Sequence, residues 1–347
     1  MFLMNPLNER RWSNFKANKR GYWSLRLFIT LFAVTLFAEL IANDKPIAIS
    51  HADRLYFPVF FSYSEKEFGG IFETETDYRE QYVQELITDH GGWLLWPIIR
   101  YRHNTLDYDL DSYAPAPPSW KHPLGTDNYG KDVLANLIYG VRLSFLFGVV
   151  LTLLSSMIGI TIGAIQGYFG GLVDLIGQRL IEIWAGLPML FILIILASIV
   201  ESNIFWLLGI LVAFSWMALV GVVRAEFLKA RNLPFVMAAK ALGVSNRLIM
   251  WRHILPNAMV ATITFVPFIL TSSITLLTSL DFLGFGLAAD SPSLGRLLAQ
   301  GRTNIHAPWL SLTTVFTLAF MLTLLIFTGE ALRDAFDPRK NNNLNDF

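Results

Sequence analysis

The sequence predicts an all-α polytopic membrane protein: six transmembrane helices with a large insert between the first two. Three observations carry that reading. Hydrophobic residues make up 54% of the 347 and charged residues only 16%, against about 25% charged in ordinary globular chains. Six apolar runs approach the roughly 20 residues that a helix rising about 1.5 Å per residue needs to cross a hydrocarbon core. No strand pattern precedes any of them, and each is too long for a buried strand. Backbone amides in lipid must be satisfied within their own segment, which leaves helices.

The same composition excludes other classes. A mean hydropathy of +0.46 is too apolar for a disordered or nucleic-acid-wrapping chain. Lys and Arg (27) balance Asp and Glu (27), so no basic surface for nucleic acid is expected. With no Cys there is no disulfide, thiolate metal site or Cys nucleophile. The six His residues (51, 90, 103, 122, 253 and 306) are scattered without metal-ligand spacing, and no Gly-x-Ser-x-Gly occurs. Neither a metal nor a catalytic residue is expected.

The elements follow in order. The leader 1–24 carries Arg10, Arg11, Lys16, Lys19 and Arg20, and Arg26 follows at the start of the first run, 25–41. A signal peptide is the competing reading. Leu40, where a small residue would precede a cut after Ala42, argues instead for an uncleaved anchor over 25–42. Residues 43–124 form the insert, with seven Lys/Arg against thirteen Asp/Glu and many Tyr, Phe and Trp. A connection of that length and aromatic content is expected to fold. Its end, APAPP at 114–118, reads as an extended spacer. The core, 125–340, holds the other five runs at 143–165, 180–200, 204–223, 258–280 and 310–328, and the tail 341–347 reads as disordered.

Sidedness comes from Lys and Arg in the short loops. The leader and the loop 224–257 are basic; the loop has Arg224, Lys229, Arg231, Lys240, Arg247 and Arg252 against Glu226 alone. Both belong on the cytoplasmic side with both termini, and the acidic insert belongs outside.

One apparent nucleotide motif dissolves. Gly125 to Lys131 fits G-x-x-x-x-G-K, but Asp132 stands where a magnesium-holding Ser or Thr is needed, and a proline-rich stretch precedes it.

The loop is the most informative stretch. Pro234 suits a first helical position, Gly243 a C-terminal cap, Ser245 an N-cap and Pro256 a stop. Two short helices are expected. Ala238, Ala239 and Ala241 let another backbone approach closely, while Phe235 and Leu242 can anchor in a groove. An amphipathic turn on lipid headgroups is the alternative.

The order Ala-Ala, Gly four residues later, then Ile-Leu-Pro at 254–256 resembles the EAA loop of permease subunits of bacterial ABC importers. That resemblance implies a coupling helix seated in a cleft of a separate ATPase subunit. Met237 stands where the family usually has Glu. The motifs HPLGTDNYGKD at 122–132, GYFGG at 167–171 with Asp174, LGFG at 283–286 and LRDAFDPR at 332–339 resemble the dipeptide/oligopeptide subgroup. The long insert looks like that of the Yej-type permeases, associated with peptides and the peptide-nucleotide antibiotic microcin C.

The resemblance implies a type I importer permease in the bacterial inner membrane, without cofactor of its own. ATP and magnesium would act in two ATP-binding subunits or one fused ATPase. A second, different permease and an extracytoplasmic substrate-binding protein would complete the assembly. A secondary transporter driven by an ion gradient and a membrane-anchored receptor or scaffold are the competing classes.

Three features of the spans bear on function. Gly159, Gly163 and Gly167 share one helix face and suit close packing. Thr271, Ser272, Ser273, Thr275, Thr278 and Ser279 supply hydroxyls for a wet path. Bonding back to their own helix is the plain alternative. Glu182 lies one turn after Arg179, which suits an i,i+3 ion pair better than proton coupling. Glu39 is expected to reach the headgroups or the insert.

Overall fold

The computed structural model describes residues 6–89, 91–110, 112–197, 199 and 203–336. The tail 341–347 and the end of the 332–339 motif lie outside the described residues.

The leader is helical. Helix α1 (Pro6–Ala17) lays Phe15 against Ala331 and Ala335 near the other end of the chain. Asn18 then accepts the Gly21 N–H at 3.2 Å and starts α2 (Lys19–Leu36). The helix over the first apolar run therefore begins before residue 25, and it is interrupted at Phe37 before a short α3 (Ala38–Ile41).

The insert is a small mixed fold. Strands β1 (Ala48–His51), β2 (Arg54–Tyr56) and β3 (Trp93–Leu95) form an antiparallel sheet ordered β2-β1-β3, with Ser50 paired to both Leu55 and Trp93. Alternation sends Ile49 to the other face, where it meets Phe68 of a 3₁₀ turn, Tyr78, and Val83 and Ile87 of α4 (Gln81–Thr88). The 114–118 stretch is tied down rather than free: Ala116 and Thr126 exchange hydrogen bonds of 2.8 and 2.9 Å.

Helix α5 (Val133–Phe169) exceeds the predicted 143–165 because its cap, Asp132, lies well upstream and no proline occurs before Gly170, at φ +63°, ends it. The third span is α6 (Gly171–Ala185) and α7 (Met189–Ala197), bent by 63°, rather than a straight helix over 180–200. Pro188 lacks an N–H and restricts the residue before it, which breaks the helix there. Helices α8 (Ile204–Ser215) and α9 (Met217–Ala230) make the fourth span.

The loop contains α10 (Pro234–Ala241), α11 (Asn246–Leu248) and a π turn over Ile249–Ile254 that runs into α12 (Leu255–Ile263). Helix α13 (Val266–Phe282) follows a bend of 57°, then come α14 (Leu294–Thr303) and α15 (Pro308–Phe336). Among the described residues three helices are long and apolar enough to cross a membrane, or up to five if each bent pair is one span. Helix α2 carries Lys19, Arg20 and Arg26 in its first half and is not among them.

Helix α5 is the central post, packed on α2, α8, α9 and α13. One end of the bundle carries the insert and α14; the other carries the 224–257 loop and α1.

Candidate functional site

At the loop end, α10 presents one apolar face to the bundle and another outward, over two turns. Val236 and Ala239, three residues apart, are buried in a cluster with Tyr168 of α5, Phe227 of α9 and Ile254 of the π turn. Phe235 (43% exposed), Met237 (60%) and Leu242 (82%) face outward with Ala238 and Ala241. The helix ends where Gly243, at φ +76°, donates to the Lys240 carbonyl and Val244 donates to the Ala239 carbonyl. That pair of bonds satisfies carbonyls the helix would otherwise leave open.

Two expectations are corrected. Ala239 is small because the chain packs on itself there, so it is not part of the outward face. Pro256 is not a stop: the helix passes through it from Asn246 to Ile263. The π turn just upstream, with Leu255 donating to the Met250 carbonyl five residues back, makes room for a ring that would clash in a regular helix.

The α5 and α9 helices approach closely beside this cluster. A Cβ on Gly159 would collide with the Trp216 carbonyl, on Gly163 it would stand 2.8 Å from the Val220 carbonyl, and on Gly167 2.5 Å from the Arg224 carbonyl. At the seam's end Tyr168 donates to Asn246 Oδ1 at 2.7 Å and lies under Lys240, 4.8 Å from the ring centre. Arg224 grips Asp174 of α6 with Nε on Oδ1 and Nη2 on Oδ2, the latter at 2.7 Å.

The hydroxyls of α13 divide by face. Thr271, Ser272, Thr275, Thr278 and Ser279 each donate to the carbonyl four residues earlier, at 2.8 to 3.0 Å. Ser272, Thr275 and Ser279 are exposed along one stripe, whereas Thr271 is half-buried. Thr278 is buried and does not reach the stripe, and Ser273 is buried 3.3 Å from Thr152 of α5. Helical phase separates them: 272, 275 and 279 share a face that 273 and 278 do not. Arg179 and Glu182 form an exposed ion pair one turn apart.

At the insert end a buried charge network joins the insert to α5. Asp132 caps α5 by accepting the Ala135 N–H at 2.7 Å, and its other oxygen lies 2.9 Å from His122 Nδ1. His122 Nε2 is 3.1 Å from Asp107 Oδ2, which also accepts from Tyr101 at 2.8 Å; Arg79 reaches Asp107 Oδ1 at 3.3 Å. Burial opposes charge on His122, but hydrogen bonds to Asp132 and Asp107 outweigh it and raise its pKa above 6.5. For Asp107 burial is likewise outweighed, by Tyr101, the Asp109 N–H, His122 and Arg79, and its pKa falls below 3.8. Only a doubly protonated ring can donate to both carboxylates. The near-miss nucleotide motif is thus a capping turn, with Gly125 and Gly130 at φ +75° and +80°.

Sequence reasoning missed this network, because its bonded pairs lie 6 to 28 residues apart with no regular spacing, and only Asp132, followed by a long apolar run, signals a cap. It also missed Arg142, which holds Glu39 through two bonds of 2.8 Å. An Arg at the head of an apolar run was the available signal. Among the described residues no group of three or more His, Asp or Glu could hold a metal ion.

Comparison with known proteins gives consistent matches. The family of "Binding-protein-dependent transport system inner membrane component" matches residues 159–342. An inner membrane ABC transporter permease protein YejE of Escherichia coli K12 is 54% identical, covering 98% of this chain and 99% of that one. A peptidoglycan transport system permease protein YejE of Agrobacterium fabrum is 53% identical over 97% of this chain and 94% of its own. An oligopeptide transport system permease protein OppC of Haemophilus influenzae is 34% identical over 69% of this chain and 77% of its own.

Proposed function

The chain belongs to the family of inner membrane components of binding-protein-dependent transport systems, and from that premise we propose how this permease subunit of an ABC importer works. An ATPase subunit receives the outward face of α10, Phe235 and Leu242 entering its cleft with Ala238 and Ala241 between them. Closure of two ATP-bound domains, or of one fused ATPase, moves the 224–257 loop and switches the bundle from outward to inward opening. ATP and magnesium act in that partner, and this chain makes and breaks no bonds.

The observation that carries this reading is a short helix with a buried face on its own bundle and a bare apolar face opposite. Large apolar side chains at the end of a basic loop are costly in water unless a partner covers them. Both termini and the loop then lie in the cytoplasm, and the insert 43–124 lies outside, where a substrate-binding protein delivers cargo. The peptide and peptidoglycan wording in the relatives' names supports peptides or peptide-bearing fragments as that cargo. The exposed stripe of Ser272, Thr275 and Ser279 suits it, because a hydroxyl that donates to its own helix still accepts from a peptide N–H. A second permease faces that stripe and completes the path.

Purification of the full chain through a tag tests the reading. Since the protein has no Cys, Leu242→Cys supplies a single crosslinking site. The expected result is capture of an ATP-hydrolysing subunit at position 242 and co-purification of a second permease. Failure to capture one, or concentration of peptide by the purified chain alone on a proton or sodium gradient, would overturn it.

A further inference from the structure

We propose that the Asp174–Arg224 ion pair is the positioning link that carries movement of the 224–257 loop into the third span, so that α6 travels with α9 and α10. The inference rests on the coupling role of α10 proposed above.

The two halves of the third span are held very differently. No residue of α6 is buried. Among the described residues its polar side-chain ties to the rest of the bundle are Asp174 to Arg224, Gln178 Nε2 to Gln166 Oε1 at 2.6 Å, and Trp184 Nε1 to the Ala213 carbonyl at 2.8 Å. Helix α7 instead sinks Leu193 (3% exposed) into a cluster with Phe147, Leu151, Leu211 and Leu277. Between the halves lies the break at 186–188 and the 63° bend. Before α6, Gly170 and Gly171 both take positive φ, a turn that keeps backbone freedom. One half is thus packed into the bundle and the other hangs between two joints.

Arg224 is on the element that feeds the loop. Residues 231–233 alone separate α9 from α10, and Phe227 and Ala230 of α9 share one cluster with Val236 and Ala239 of α10. The α9–α10 corner is therefore one packed unit. Arg231 of that corner also packs its guanidinium on Gly170, at the joint. A two-pronged guanidinium–carboxylate contact fixes direction as well as distance. At a mostly apolar helix surface either partner left alone is poorly solvated. The pair resists sliding more than the surrounding aliphatic contacts do, and it sits where α6 has little else to hold it.

The test uses the whole complex in nanodiscs, purified through this chain, with spin labels in pairs: Met237→Cys or Leu180→Cys, each measured against Phe316→Cys on α15. Addition of ATP and vanadate is expected to change both distances in the otherwise wild-type chain. In Asp174→Asn the Met237 change is retained and the Leu180 change is lost. The exchange Asp174→Arg with Arg224→Asp restores it. Uptake of labelled trialanine by cells carrying Asp174→Asn falls about five- to tenfold, within the usual range of coupling between sites. A Leu180 label that still follows nucleotide in Asp174→Asn overturns the proposal. Arg224→Lys, which keeps the charge and loses the fork, serves if Asp174→Asn does not assemble. Failure of both to assemble shows a purely structural pair and also overturns it. A wild-type chain whose Met237 distance ignores nucleotide refutes the coupling role itself, a distinguishable outcome.

Discussion

The two ends of the bundle use different forces to hold a small appendage. At the insert end the appendage is fastened by buried, directional polar contacts: Arg79, Tyr101, Asp107, His122 and Asp132 in one chain of hydrogen bonds that ends on the first turn of α5. At the loop end α10 rests mainly on apolar side chains, with Val236 and Ala239 in a cluster with Phe227, Tyr168 and Ile254. Buried charge pairs penalise displacement steeply, because a carboxylate pulled from its donors is left unsolvated. Aliphatic contacts lose little when they slide by a fraction of an ångström. The contrast predicts a fixed insert and a more mobile loop, which suits the proposed docking of cargo at one end and input of work at the other.

The largest effect is expected from breaking the fixed end. Asp132→Ala removes both the cap of α5 and one partner of a fully buried pair, at a cost of about 3 to 5 kcal/mol. Limited proteolysis should then cut within 43–124 while α10 keeps its seat. An insert as resistant as wild type would put the fastening elsewhere.

At the mobile end, Phe235→Ala and Leu242→Ala each should weaken capture of the ATPase by about 2 kcal/mol, the scale of an interface hot spot. Thermal unfolding of the isolated chain should be unchanged, since both side chains face outward. Parallel loss of capture and folding would mean the two ends are not distinct.

A smaller effect is expected at Gly243. Its φ of +76° strains any Cβ, although nothing lies within 4 Å of one, so Gly243→Ala should cost about 1 to 2 kcal/mol. That cost falls on the turn closing α10, and peptide uptake into vesicles should drop more than capture does. Unchanged uptake would remove the turn from the coupling path.

The gentlest probe is pH. His122 has its pKa raised in the folded chain, so its contribution is full below about 6.5 and is lost as pH rises through the folded value. Asp107 has its pKa lowered, so its contribution is full above about 3.8 and is lost as pH falls through the folded value. Protection of insert amides, relative to the intrinsic exchange rate at each pH, should be greatest between those limits, with a small loss on the alkaline side that His122→Gln abolishes. Protection in α10 should lack that alkaline step.

Much of this was legible in the chain because the relevant periods are short. Apolar runs near 20 residues marked the spans, Pro234 and Gly243 bracketed α10, and Gly159, Gly163 and Gly167 lined one face within a single helix. The errors arose where a local signal had two outcomes. Proline breaks the third span at Pro188 yet is absorbed at Pro256, because a π turn precedes the latter. Ala239 and Ala241 are alike in composition, and only helical phase against the bundle buries one and exposes the other.

The sequence by itself determined the membrane class, the charge asymmetry of the loops and the bounds of α10, since each depends on neighbours within a few turns. Only the tertiary structure decided which carboxylates meet which bases, as with Asp174 and Arg224 fifty residues apart or Glu39 and Arg142 farther still. Such pairs are set by how whole helices pack, and one-dimensional spacing carries no record of that.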